Sequence, residues 1–234
     1  MIQRPFLHTH PYEPFLFPEA TKLIVGTLPP PRFTTGELKE ADVDFCYGSC
    51  NGMLWPILDR IFDLNLTYET TVEAAEQRKR FLLKQRIGVC DIVQSAEREK
   101  IDASDLGMQH VVLRDLIGYL HEYTNVDTLL FTGGNSKNGP EYFFRRQLKK
   151  HGLRLEVISD EVPRIHQFEL PVTSSAPGGY QDEKPRTIKT VSLTAPSGTA
   201  NRAVGSLPLY KELKNKNPEF NTFDFRVMQY REFF

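Results

Sequence analysis

Lys22-Leu23-Ile24-Val25-Gly26-Thr27-Leu28-Pro29-Pro30 is an apolar run that stops at a glycine and ends in prolines. It predicts a buried strand over Lys22–Leu28, because proline has no amide with which to extend a sheet. Similar short runs predict strands at Ile87–Val93, Thr128–Thr132, Leu153–Ile158 and Thr187–Thr194. Between them stand segments of helical period: Asn51–Asp63, Thr71–Gln85, Val111–Glu122, Pro140–Lys150 and a last helix from about Asn201. Strands that alternate with helices predict an α/β fold whose mostly parallel sheet is covered on both faces. In such sheets ligands bind beyond the carboxyl ends of the strands.

Local chemistry supports these elements. Leu54, Trp55, Leu58, Ile61 and Phe62 form an apolar stripe, and Pro56 fits a first helical turn. Val72, Ala75, Phe81 and Leu82 share one face of the next helix. Asp102–Asp105 offers caps ahead of Val111–Glu122, and Gly152 ends Pro140–Lys150. Residues 1–20 are expected to pack as irregular structure, and a long loop to run from the prolines to about Ser49. Pro171–Pro185 reads as a loop, and the aromatic tail Phe220–Phe234 is expected to dock on the domain.

The 234 residues are enough for one large α/β domain spanning 1–234. With 40% hydrophobic and 25% charged residues, the composition is that of a globular protein. No apolar run is long enough for a membrane span, and no export signal is visible. Three cysteines make no disulfide framework and fit a reducing cytoplasm. A net charge of -1 is unlike a dedicated high-affinity nucleic-acid binder, so any such contact must be local. The clusters Arg78-Lys79-Arg80, Arg145-Arg146 and Lys149-Lys150 read as solvated helix faces. His110, His121, His151 and His166 sit at no metal-ligand spacing and read as surface or helix-end residues.

Three loops carry chemical possibilities. Gly26–Pro30 matches neither a dinucleotide fingerprint nor a Walker loop, but its stiff turn can present backbone groups to a ligand. Phe45-Cys46-Tyr47-Gly48-Ser49-Cys50-Asn51 sets aromatics beside an amide, so a flat base could stack on Phe45 or Tyr47. Asn51 could hold a water or a base edge; its plainer reading is a helix N-cap. Cys46 and Cys50 lack metal partners and read as structural. Ala195-Pro196-Ser197-Gly198-Thr199-Ala200-Asn201-Arg202 leaves a strand and enters a helix. A hydroxyl, a glycine and a fixed cation there suit phosphate. The plainer reading is N-capping by Ser197 or Thr199.

Taken in order, these segments resemble the uracil-DNA glycosylase superfamily, most closely its mismatch-specific and hypoxanthine-type branches. The motifs are Gly26–Pro30, the aromatic loop into Asn51 and Trp55, the Gly88-Val89-Cys90-Asp91 strand, the Gly133-Gly134 turn, and Pro196-Ser197-Gly198 followed by Arg202. The match covers roughly residues 5–214. It implies a central, mostly parallel four-stranded sheet sandwiched between helices. It also implies a monofunctional DNA N-glycosylase of base excision repair, a monomer in the cytoplasm that needs no cofactor and no metal. The iron–sulfur branches are excluded, since they need four cysteine ligands.

Under that resemblance Thr27 and Leu28 contact the flipped base, Phe45 or Tyr47 stacks on it, and Asn51 orients water. Asp91 is a second candidate for the water, with a turn or cap as its plainer role. Pro196, Ser197, Gly198, Thr199 and Arg202 grip the DNA backbone. Two positions depart from the family pattern: Leu28 stands where a polar residue is common, and Ala195 where His or Asn often begins the last loop. They motivate an alternative, a weak or inactive nucleic-acid-binding member of the fold. The low net charge motivates another, a hydrolase of free nucleosides or nucleotides.

Overall fold

The computed structural model describes residues 5–172 and 184–234, so most of the loop expected over Pro171–Pro185 lies outside the described residues. The strands are β1 (Phe6–Thr9), β2 (Lys22–Val25), β3 (Ile87–Val89), β4 (Val93–Arg98), β5 (Gln109–Leu113), β6 (Thr128–Phe131), β7 (Glu156–Ser159), β8 (Arg164–Leu170) and β9 (Arg186–Ser192). The helices are α1 (Pro31–Thr35), α2 (Leu54–Phe62), α3 (Val72–Gln85), α4 (Leu116–Glu122), α5 (Pro140–Lys150), α6 (Asn201–Ser206), α7 (Pro208–Lys216) and α8 (Thr222–Tyr230).

The central sheet has six strands in the order β3-β2-β6-β9-β8-β7. The first four are parallel; β8 and β7 extend the sheet antiparallel. This corrects the four-stranded expectation: the parallel part is present, but inside a larger mixed sheet. A second sheet, β1-β4-β5, is antiparallel throughout.

Alternation along each parallel strand explains the layers. Leu23, Val25, Leu129 and Phe131 face one way and meet Leu116, Ile117 and Leu120 of α4 and Phe143 and Phe144 of α5. Ile24, Leu130 and Val191 face the other way and meet Trp55 and Leu58 of α2, Phe81 and Leu82 of α3, and Tyr230 of α8. Trp55 is buried, and its indole N–H donates to the Cys46 carbonyl at 2.9 Å, so its bulk enters the core without an orphaned donor. Among the described residues no helix is long and apolar enough to cross a membrane.

In-register pairing brings the four carboxyl ends level: Ile24 opposes both Val89 and Leu130, and Phe131 opposes Ser192. Backbone bonds continue past the strands, with Thr132 N–H donating to Val25 O and Ile92 N–H to Gly26 O, each at 3.0 Å. The residues following the strands are thereby held along one edge.

Other boundaries differ from expectation. β1 lies in the segment expected to be irregular, and the Val111–Glu122 helix is instead strand β5 followed by α4, capped by Asp115. The Leu153–Ile158 strand is the antiparallel edge strand β7, and β8 was not anticipated. The helix at Asn201 is followed by α7 and α8, and α8 carries the aromatic tail onto α2. Arg78 is not on a solvated face: it is buried, with its guanidinium 5.4 Å from the Trp55 ring and 5.0 Å from the Tyr68 ring. His166 is a buried β8 residue in contact with Arg145 at 3.0 Å, not a surface histidine.

Candidate active site

A cleft of about 600 Å³ opens at the level carboxyl ends, and Thr27, Leu28, Tyr47, Asn51, Asp91, Pro196, Ser197 and Thr199 all line it. Its floor is Asp91, buried just after β3. Asp91 Oδ1 accepts from the Gly26 amide and from the Tyr47 hydroxyl, both at 2.7 Å. Its Oδ2 pairs with His10 Nε2 at 2.9 Å. Gly26 must lack a side chain, since a Cβ there would stand 2.3 Å from the Tyr47 hydroxyl and 2.8 Å from Asp91 Oδ1. Tyr47 reaches inward from a left-handed backbone, φ 59°. Burial, with the Asp91 charge beside it, pushes its hydroxyl well above the usual phenol range, so it remains a neutral donor. Thr132 Oγ1, 3.2 Å from that hydroxyl, completes the floor.

One wall is the turn after β2. Thr27 Oγ1 donates to Asp105 Oδ1 at 2.8 Å. Asp105 opens a 3-10 turn, Asp105–Gly107, that borders the cleft. Burial raises its carboxyl above the ordinary value, while the Thr27 bond and Arg98 pull the other way without cancelling the rise. Asn138 Nδ2 donates to the Asp105 carbonyl at 2.9 Å, and buried Arg98 donates to the Ser104 carbonyl at 2.6 Å. A smaller cavity of about 370 Å³ adjoins this wall and shares Thr27, Asp105, Thr132 and Ala195 with the cleft.

The opposite wall joins two loops distant in sequence. Met53 N–H donates to Pro196 O at 2.9 Å, and Gly52 bridges Ser197. Ser197 Oγ caps its own 3-10 turn by accepting from Thr199 N–H. Behind the loop, fully buried Arg226 donates to Ala195 O, Ser197 O, Thr222 O and Asn201 Oδ1 at 2.8–3.0 Å. Gln229 and Tyr230 bond Thr194. At the entrance Arg32 forks onto Asp42 at 2.7 Å through two nitrogens and reaches Ser49 Oγ at 2.8 Å. Burial alone would raise the Asp42 carboxyl, but Arg32 and the Cys50 and Lys39 amides hold it well below the usual carboxylate range.

Three expected site residues lie elsewhere. Phe45 is in the core against Tyr12, Phe15 and Trp55, with ring centroids 5.9–6.4 Å apart, so it offers no face to the cleft. Gly198, on the adjoining 3-10 turn, and Arg202, in the first turn of α6, are exposed and do not line the cleft. Asn51 does line it and is exposed; the N-cap of α2 is Met53, so the amide is not engaged in capping. Cys50 is exposed, whereas Cys46 and Cys90 are buried. Sequence reasoning missed His10, Arg32, Asp105, Thr132 and Arg226. Only Thr132, at a strand end before two glycines, carried a visible signal. Among the described residues no group of three or more His, Cys, Asp or Glu side chains is placed to hold a metal ion.

No family model, no curated protein and no solved structure matches this chain.

Proposed function

We propose that the chain is a DNA N-glycosylase that hydrolyses the N-glycosidic bond of a flipped, deaminated base, uracil or hypoxanthine. One observation carries the reading. The Thr27-Leu28 turn, Asn51 and the Pro196-Ser197 loop, far apart in sequence, line a single cleft. Its volume of about 600 Å³ falls within the range of small-ligand sites, roughly 300–1,000 Å³.

Extruding a base from the stack costs a few kcal/mol. In this reading Ser197 and Thr199 of the cleft wall, with exposed Gly198 and Arg202 next to them in sequence, contact backbone phosphates and offset part of that cost. The base enters beside Tyr47, with backbone groups at Thr27 and Leu28 along its edge. As the bond breaks, negative charge builds on the base, and each fixed donor aimed at it supplies about 3 kcal/mol. Asn51 orients water but is too weak a base to deprotonate it.

The test is release of free base from duplexes carrying deoxyuridine or deoxyinosine. Wild-type protein should release one of them, and Asn51→Ala should slow release at least tenfold. No release from uracil, hypoxanthine, xanthine or mismatched duplexes, with DNA binding retained, would replace this reading with that of a non-catalytic binder.

One observation favours a second reading, a hydrolase of free nucleosides or nucleotides. Arg32 is the one cation among the described lining residues, and Asp42 already neutralises it. Turnover of free nucleosides without duplex binding would select that reading.

A further inference from the structure

We propose that Asp105 is the group that takes the proton from the attacking water in this cleft, an assignment that rests on the glycosylase reading above. Hydrolysis needs a proton acceptor beside the water, and an amide such as Asn51 cannot serve as a strong one. Only two carboxylates line the cleft among the described residues, Asp91 and Asp105. Asp91 has both oxygens engaged by three partners, Gly26, Tyr47 and His10. It is the structural floor, and a water there would have to displace one of them. Asp105 has Oδ1 engaged by Thr27, and Oδ2 has no hydrogen-bond partner among the described residues.

Asp105 is also held as a catalytic group must be. Three elements fix it: Thr27 at its carboxylate, Asn138 at its carbonyl, and Arg98 at the preceding carbonyl. Arg98 is itself pinned, its Nε donating to His8 Nδ1 at 2.8 Å. The charged groups near Asp105 are Arg98 from β4 and Asp91 from the end of β3. Asp102 lies beyond Arg98, and Arg164 of β8 lines the adjoining cavity. Burial makes the Asp105 carboxylate more basic than an exposed aspartate, which suits a proton acceptor. Leu28 leaves the first loop without a carboxylate of its own, and Thr27 beside it recruits one from a loop about eighty residues away.

The step balances as follows. Asp105 Oδ2 takes one proton from water as the water oxygen bonds to C1′ of the deoxyribose. The C1′–N bond breaks, its electron pair leaves with the base, and the base nitrogen takes a proton from solvent. Asp105 then gives its proton to solvent. One water is consumed, and a free base and an abasic sugar are formed.

The test is single-turnover base release across pH by wild type, Asp105→Asn and Thr27→Val, with duplex affinity and thermal melting measured alongside. Asp105→Asn should slow release by about 10²–10³-fold, with duplex affinity unchanged. The wild-type rate should rise with pH through an apparent pKa above the ordinary aspartate value, and that rise should vanish in Asp105→Asn. Thr27→Val removes a bond that favours the carboxylate and should move the rise to higher pH. Folded Asp105→Asn that binds duplex and releases base at the wild-type rate overturns the assignment and leaves the glycosylase reading standing. A Thr27→Val profile that does not move, or moves down, also overturns it. Wild type that releases no base overturns both.

Discussion

The Tyr47 hydroxyl donates to Asp91 Oδ1 at 2.7 Å and so ties the aromatic loop to the carboxyl end of β3. The Gly26 amide meets the same oxygen, so the ends of two neighbouring strands and a loop converge on one atom. The floor of the cleft is therefore a hydrogen-bonded hub.

Tyr47→Phe removes one donor and leaves a buried carboxylate short of a partner. The expected loss of stability is about 1–3 kcal/mol, read as a lower midpoint in urea with an unchanged slope. Under the proposed function base release should fall as well, because the ring loses the anchor that holds it in the cleft. A variant as stable and as active as wild type would show that the hub is dispensable.

His8 sets an acid limit on stability. Burial, then Arg98 and His10 nearby, lowers its imidazole from 6.5 to about 4. The unfolded chain takes that proton near 6.5 and the folded chain only near 4. Stability from this group is thus complete above pH 6.5 and is lost as pH falls toward 4, by about 3 kcal/mol in all. His8→Asn keeps an acceptor for Arg98 but does not titrate. Denaturation midpoints between pH 6.5 and 4 should therefore fall less steeply in His8→Asn than in wild type, whatever its starting stability.

Arg226, outside the cleft, holds the serine loop directly from behind. Arg226→Leu takes one donor from each of three carbonyl oxygens and from Asn201 Oδ1, while Ala195 O, Ser197 O and Asn201 Oδ1 each keep another, at an expected cost of about 3 kcal/mol. Arg226→Lys should recover little, because one ammonium cannot reproduce a planar fork with four acceptors. Both variants should weaken duplex binding more than Tyr47→Phe does. Equal duplex affinity in all three would show that the loop keeps its shape without the guanidinium.

Much of the frame can be read from local chemistry. Pro140–Lys150 is helical as its proline start and period imply, and Thr71 caps α3 by accepting from Ala74 N–H. The strand starting at Lys22 is legible because it is buried on both faces and therefore continuously apolar. By contrast β8, Arg-Ile-His-Gln-Phe-Glu-Leu, mixes charges with apolar residues, because it ion-pairs with Glu141 on α5 through Arg164. Asp105 is hidden among Asp102, Ser104 and other cap-like residues, and only the fold brings it to Thr27. His10 and Asp91 are 81 residues apart, and nothing local signals their contact. Phe45 and Tyr47 look alike as aromatics two positions apart. The left-handed backbone at Tyr47 sends one to the cleft, while the Trp55 cluster takes the other.

No residue of α8 lines the cleft, yet the last turns of the chain brace it from behind. A protein shortened before Thr222 would retain every side chain that lines the cleft and still lose the buttress that shapes its rim. Under the proposed function, a lesion in Thr222–Tyr230, outside the cleft, would therefore read out as weakened duplex binding.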